Sequence, residues 1–316
     1  MTQALGSTAI VGAGAVGSFY GAMLARAGHK VTLIGRAPHV QAIAERGLRL
    51  HMNGQTHAVS LAASTDLAAV AGADLVLLCV KSPDTDAVAR QLAPLLNPGA
   101  LVMSLQNGVD NADTLARHLT QAVVPVAVYV ATAMAGPGEV HHHGQGHLVI
   151  GPINAAAAAN AALMSRLQSV VNLFASAEVS VRVSPDVFGE LWRKLIVNCA
   201  YNAVSGLTRQ PYGRMADLPA IVDLQRVVVR EVVAVAQAAG QTIDLDASMA
   251  AMAAIAAAMP GQRSSTAQDM ARGRPTEIDH LNGFVVRRGA ELGVPTPVNQ
   301  ALHALVKLVD VNRDAG

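Results

Sequence analysis

The stretch that decides the fold of the N-terminal half is Ser7-Thr8-Ala9-Ile10-Val11-Gly12-Ala13-Gly14-Ala15-Val16-Gly17. Ser7–Val11 is a short apolar run with the character of a strand. Residues 15–27 have helical spacing, and Lys30–Ile34 is a second strand. The three glycines stand between strand and helix at the spacing of a Gly-x-Gly-x-x-Gly turn, and each has its own physical reason. Gly12 makes the tight turn, Gly14 lets backbone approach a pyrophosphate, and Gly17 lets the helix lie close to the sheet. Ala15 and Val16 open the helix, whose first N–H groups are free and whose dipole offers its positive end to an anion. A purely structural glycine-rich turn is the alternative. The strand, helix and next strand around it argue for a dinucleotide site instead.

Working outward, further strands are expected at residues 75–80, 100–105 and 123–131. These are near-continuous apolar runs, which fits a parallel sheet covered on both faces. Asn97-Pro98-Gly99 has the turn chemistry to end a helix and start a strand. Residues 137–151 are rich in Gly and His and read as a hairpin or strand pair, and residues 155–162 begin another helix. From about Pro185 the pattern is helical: residues 188–204, 220–239, 247–259, 264–271, 277–292 and 298–312 fit helical spacing. Thr276, with Asp279 three residues on, can cap the fifth of these, and Gly293 with Pro295 ends it. The pattern changes near residues 181–186. The expected fold is α/β: an N-terminal Rossmann-type doubly wound sheet over residues 1–183, then an all-helical C-terminal domain over residues 184–316.

The bulk composition narrows the function. The 316 residues suit two domains, and 52% hydrophobic residues supply ample core. The most apolar stretch, residues 247–259, is too short for a bilayer and is expected to be a buried helix, so the positive mean hydropathy does not imply a membrane protein. The apolar run at residues 9–15 lacks the positively charged start of a signal peptide. A net charge of +1 with 3% aromatics, and no basic stripe, argues against nucleic-acid binding. Cys79 and Cys199 each sit in an apolar segment without a partner at ligand spacing. They read as small buried hydrophobes, consistent with a reducing cytoplasm. His141-His142-His143, with His147 nearby, cannot all converge, because neighbours on a strand face opposite ways. The sequence shows no carboxylate or thiolate to complete a set. The run is therefore read as an exposed hairpin, and no metal is expected.

Three more positions sit beyond strand ends, where doubly wound sheets bind ligands. After the second strand comes Gly35-Arg36. An NAD site usually carries an acid near this point for the ribose 2′-hydroxyl, and none is present. Arg36 offers a guanidinium to a 2′-phosphate, which favours NADP, the alternative being a solvated surface arginine. Lys81 follows residues 75–80, and Asn107-Gly108 follows residues 100–105. In the helical half, Glu190, Lys194, Asn198 and Asn202 recur every fourth residue and form one polar stripe flanked by Leu191, Leu195, Ile196 and Val197. Such a stripe suits a cleft wall. A helix surface with a Glu190–Lys194 ion pair, its asparagines bonded at a domain seam, fits the spacing equally. Ser265 shares a face with Asp269, and Glu277 falls in a first helical turn, where the macrodipole alone is reason enough for an acid.

Taken in order, the Gly12–Gly17 turn, Gly35-Arg36, Lys81, Asn107-Gly108, Leu191-Trp192-Arg193-Lys194 through Asn198-Cys199, Thr276-Glu277-Ile278-Asp279 and Asn282-Gly283 resemble the ketopantoate reductase family over nearly the whole chain. The resemblance implies hydride transfer from NADPH to the C2 ketone of 2-dehydropantoate, giving pantoate for coenzyme A synthesis in the cytoplasm. It implies Lys194 as general acid and Glu277 as the group that orients it. Asn198, Asn202 and Ser265 would hold substrate, Lys81 and Asn107 would lie near the nicotinamide ribose, and Arg36 would contact the 2′-phosphate. The implied partner is a small 2-keto acid, and a homodimer is left open. Relatives sharing this framework reduce other 2-keto acids, and a nicotinamide-sensing protein without turnover would need neither Lys194 nor Glu277.

Overall fold

The computed structural model describes residues 5–313. The chain divides into two compact units. One runs to Gln106 and resumes over Asp110–Val187, and the other comprises Asn107–Val109 and the chain from Phe188 onward.

In the first unit β1 (Ser7–Val11) leads through the glycine turn into α1 (Ala15–Arg26) and β2 (Lys30–Ile34). Then follow α2 (Ala37–Arg46), β3 (Leu48–Met52), β4 (Gln55–Val59) and β5 (Ala62–Ser64). β6 (Leu75–Leu78), α3 (Thr85–Leu92), β7 (Leu101–Ser104), α4 (Asn111–Ala116) and β8 (Ala122–Gly136) continue the alternation. β9 (Glu139–Ile150), α5 (Ala155–Ala158), α6 (Ala161–Ser176) and β10 (Val181–Val183) complete the unit. Six strands in the order β5-β2-β1-β6-β7-β8 pair in parallel. This is the doubly wound arrangement, with its reversal of order between β1 and β6. Alternate residues divide two cores. Ile10, Leu33, Leu77 and Met103 face one side, and Val11, Ile34, Leu78 and Val102 face the other, all buried. Burial on both faces is why these strands read as unbroken apolar runs.

The sheet also goes beyond the sequence expectation. The strand expected at residues 123–131 is a longer one, β8. The expected hairpin at residues 137–151 is a single twelve-residue strand, β9, antiparallel to β8 across the Pro137-Gly138 turn. β9 then pairs in parallel with β3 and β10, and β3 makes a hairpin with β4 around Asn53-Gly54. Asn53 and Gly54 both take positive φ, as a two-residue hairpin turn requires.

The second unit is helical: α7 (Val187–Thr208), α8 (Tyr212–Ala216), α9 (Pro219–Ala238), α10 (Leu245–Ala258), α11 (Ser265–Ala271), α12 (Asn282–Leu292) and α13 (Pro297–Arg313). Trp192 on α7 packs on Phe284 of α12 at 5.6 Å between ring centroids, and the Tyr201 hydroxyl donates to the Met252 carbonyl of α10 at 2.8 Å. Two expectations need correction. The alanine-rich helix α10 buries only the stripe Ser248, Met252 and Ala256 rather than lying wholly inside. Small alanines need no full burial, and their helix propensity holds the exposed face helical. The expected helix over residues 277–292 is broken. Ile278–His280 is a 3₁₀ turn, Leu281 (φ −111°, ψ −107°) interrupts, and α12 starts at Asn282. The reason lies in the side chains expected to cap it. Thr276 donates to Asp310 at 2.6 Å, while Asp279 accepts from His303 at 2.7 Å and Lys307 at 2.8 Å, both on α13. These bonds pull the segment toward α13 and out of helical continuity. Among the described residues no helix is long and apolar enough to cross a membrane.

Candidate active site

At the carboxyl end of β1, Gly12 has φ +114°, and a Cβ there would lie 2.6 Å from the Cys79 carbonyl carbon. A Cβ on Gly17 would meet the Gly12 carbonyl oxygen at 2.2 Å. Both positions therefore admit only glycine, one for conformation and contact, the other for contact. Gly14 differs, since a Cβ there would meet nothing within 4 Å. The space above it is open, and the first intrahelical bond runs from the Ser18 N–H to the Gly14 carbonyl. The N–H groups of Ala15, Val16 and Gly17 thus precede the helical ladder, with no acidic side chain in the first turn. An open cradle at a helix N-terminus fits a pyrophosphate. Arg36 is exposed just beyond β2 and begins α2 without a side-chain capping bond. Lys81 is exposed beyond β6 and starts the 3₁₀ turn Ser82–Asp84. The turn is anchored from below by buried polar side chains: Asn111 donates to Ser82 at 3.3 Å and accepts from Thr85 at 2.8 Å, and Gln106 donates to Thr85.

In the helical unit Lys194 of α7 donates to the side-chain oxygen of Asn107 at 3.0 Å. The Asn107 amide in turn donates to the Glu277 carboxylate at 3.2 Å. Asn107 thus reads both charged groups at once, one through its acceptor and one through its donor. Burial pulls the Lys194 pKa down to about 8, and the negative charge of Glu277 resists that fall. Glu277 is buried just before the 3₁₀ turn that Asp279 and Thr276 hold to α13, so its position is fixed from behind. The Glu190–Lys194 ion pair admitted by the spacing does not form. Glu190 pairs with Arg193 at 3.1 Å, leaving Lys194 to Asn107. Further along the stripe, Asn202 is buried and donates to Ser265 at 3.4 Å, and its carbonyl accepts from Ser264. Asn198 is half-buried on the same face, and Ser265 is exposed at the start of α11.

The structure thus brings Lys194, Glu277 and Asn107 together, and separately Asn202 with Ser265. The link through Asn107 has no sequence signal, because that residue lies 87 positions from Lys194 and 170 from Glu277. Cys199 is buried as expected, whereas Cys79 is only partly so. The histidine run divides between two faces as expected, and only the reading that no carboxylate stands with it needs correction. His142 turns to one face and stacks on Phe19, but His141 lies on the other with His51 and a carboxylate, Glu139, that the run alone did not reveal.

A glycine turn with an open helix N-terminus on a doubly wound sheet, in one chain with a helical unit whose half-buried lysine has a lowered pKa, is the layout of a dinucleotide-dependent oxidoreductase. The comparisons with known proteins narrow the class. Residues 8–155 match the family description "Ketopantoate reductase PanE/ApbA", and residues 186–310 match "Ketopantoate reductase PanE/ApbA C terminal". The chain belongs to the ketopantoate reductase family. It is similar to the 2-dehydropantoate 2-reductase of Halobacterium salinarum, with 34% identity over 95% of this chain and 97% of the relative. It is also similar to that of Caulobacter vibrioides, with 34% identity over 95% and 98%. A ketopantoate reductase family structure from Ralstonia eutropha JMP134 aligns with a TM-score of 0.90 at 52% identity, covering 98% of this chain and 99% of the other. A D-mandelate dehydrogenase structure with NADH and anilino(oxo)acetate shares the fold, with a TM-score of 0.89 at 24% identity over 98% and 99% of the two chains. The cofactor class of this reductase is a nicotinamide dinucleotide.

Proposed function

We propose that this chain reduces 2-dehydropantoate to pantoate with NADPH, in the cytoplasm, with Lys194 as the general acid. The observation that carries the reading is the Lys194–Asn107–Glu277 chain of hydrogen bonds. When bound, NADPH supplies the hydride. The N-terminal unit would hold it: the N–H groups after Gly14 on the pyrophosphate, Arg36 on the 2′-phosphate and Lys81 toward the nicotinamide ribose. Those assignments rest on the open cradle at Gly14 and on Arg36 standing where an NAD site would carry an acid.

The helical unit supplies the proton. As a ketone carbon becomes tetrahedral, its oxygen gains negative charge that must be met by a proton or a fixed cation. Lys194, with a pKa of about 8, is mostly protonated at neutral pH yet releases its proton more readily than an exposed lysine. That poise suits a general acid, whose best pKa lies near the working pH. Asn107 holds the ammonium group in one direction, and Glu277 holds Asn107, so the proton donor is oriented before substrate arrives. Asn198 and Asn202 on the same face of α7, with Ser265 at the start of α11, would bind the keto acid. The test is NADPH oxidation with a panel of 2-keto acids. The proposal expects 2-dehydropantoate to give the highest kcat/KM and NADH to serve poorly. A higher kcat/KM with a bulkier or aromatic 2-keto acid would overturn the substrate assignment, and no turnover with any of them would overturn the activity.

A further inference from the structure

Where β9, β3 and β4 extend the first unit's sheet beyond β8, alternation along two paired strands puts several polar side chains on one face. In the parallel register of β3 with β9, Arg49 stands opposite Glu139 and His51 opposite His141. The rings of His51 and His141 stack at 4.2 Å between centroids, and His51 Nε2 lies 2.5 Å from a Glu139 carboxylate oxygen. One ligand atom from each of His51, Glu139 and His141 lies within 4.8 Å of the others. All three are half-buried, so the cluster is neither a floppy surface patch nor sealed from solvent. Nothing in the proposed reduction uses it.

We propose that His51, Glu139 and His141 bind a divalent transition-metal ion of the zinc class, fastening the β3–β4 hairpin to β9. Two imidazoles and a carboxylate form a donor set that such an ion takes, with water in a fourth position. The outer shell is already present on the neighbouring strand. Thr56 of β4, paired with His51 in the hairpin register, lies 2.8 Å from His51 Nδ1. If that nitrogen carries its proton toward the Thr56 oxygen, the lone pair is left on Nε2, the atom that faces the site. A proton on His51 Nε2 would leave when the ion enters, as metal binding to protonatable ligands requires. Arg49 stands 3.8 Å from the carboxylate. Arg49 also places a like charge beside any cation, which lowers the expected affinity. A carboxylate has two oxygens and can serve both groups. A tetrahedral site wants ligand atoms about 3.3 Å apart, given zinc distances near 2.0 Å, so side-chain rotation must widen the His51–Glu139 contact and draw His141 inward.

The experiment uses full-length protein without a histidine tag, stripped with chelator and titrated with Zn²⁺ by calorimetry, with thermal unfolding in parallel. The proposal expects one ion per chain, a higher Tm with the ion, and loss of affinity of at least tenfold in His51→Gln and His141→Gln. Thr56→Val should weaken binding by about tenfold, the scale expected for an outer-shell partner. His142→Gln, on the opposite strand face, should bind as the parent does. Circular dichroism of the metal-free variants confirms that the fold survives. Absence of saturable binding to the parent overturns the proposal. So does binding that His51→Gln and His141→Gln leave unchanged, or that His142→Gln weakens as much as they do.

Discussion

Replacing Glu277 with Gln keeps the size and the acceptor that Asn107 bonds, and removes the charge. In the parent, burial lowers the Lys194 pKa to about 8 while Glu277 works against that fall. The sign is therefore fixed: without the carboxylate, the ammonium form loses support and Lys194 gives up its proton at lower pH. One amide separates the two groups, through contacts of 3.0 and 3.2 Å. For charges roughly 6–8 Å apart at an effective dielectric constant of about 20, Coulomb's law gives about 2–3 kcal/mol, or about 1.5–2 pH units. The assay is the pH profile of kcat/KM for keto-acid reduction, which reports groups in the free enzyme. For the parent, reduction should fall as pH rises through about 8, where Lys194 loses its proton. In Glu277→Gln the same limb should appear about 1.5–2 pH units lower, with NADPH affinity nearly unchanged. A limb that stays in place would refute the coupling, and a limb that moves upward would refute the sign.

Three further outcomes follow from the cofactor side. Gly14→Ala should leave Tm within about 1–2 °C, because its Cβ meets no protein atom within 4 Å, yet weaken the dinucleotide by filling the cradle. Gly17→Ala should lower stability itself, by about 1–3 kcal/mol of overpacking against the Gly12 carbonyl, seen as a lower Tm in thermal unfolding without cofactor. Arg36→Ala should weaken NADPH by roughly ten- to a hundredfold, for the loss of about 1.5–3 kcal/mol of charged hydrogen bonding, while sparing NADH. Equal losses for both cofactors by fluorescence titration would show that Arg36 does not read the 2′-phosphate.

Local chemistry is what the sequence displays best. The β1–turn–α1 unit is legible to within a residue because its strand, turn and helix are specified by contiguous residues, Ser7 to Arg26. The parallel strands are legible because burial on both faces leaves unbroken apolar runs. The β3–β4 hairpin was less visible: Leu48, Leu50 and Met52 alternate with Arg49 and His51, and Asn53-Gly54 is a hairpin signal, but in the polar β4 (Gln55–Val59) only Val59 is buried. The break before α12 was hidden for another reason. Asp279 and Thr276 have local capping partners in sequence, but their bonds go to His303, Lys307 and Asp310, some thirty residues on. The site divides in the same way. Helical spacing puts Lys194 and Asn202 on one polar stripe but fits a plain helix surface equally. The joining of Lys194 to Glu277 through Asn107, and the meeting of His51 with Glu139 and His141, are products of topology that no spacing encodes.

The central claim is that Lys194 delivers the proton, and the most direct measurement is the pH profile of kcat for Lys194→Ala beside the parent, with saturating NADPH. The account predicts a fall in kcat of about 10²–10⁴, NADPH binding close to the parent's, and loss of the alkaline limb expected of the parent as pH rises through about 8. A variant that keeps near-normal kcat, or retains that limb, would contradict it and place the proton on another group.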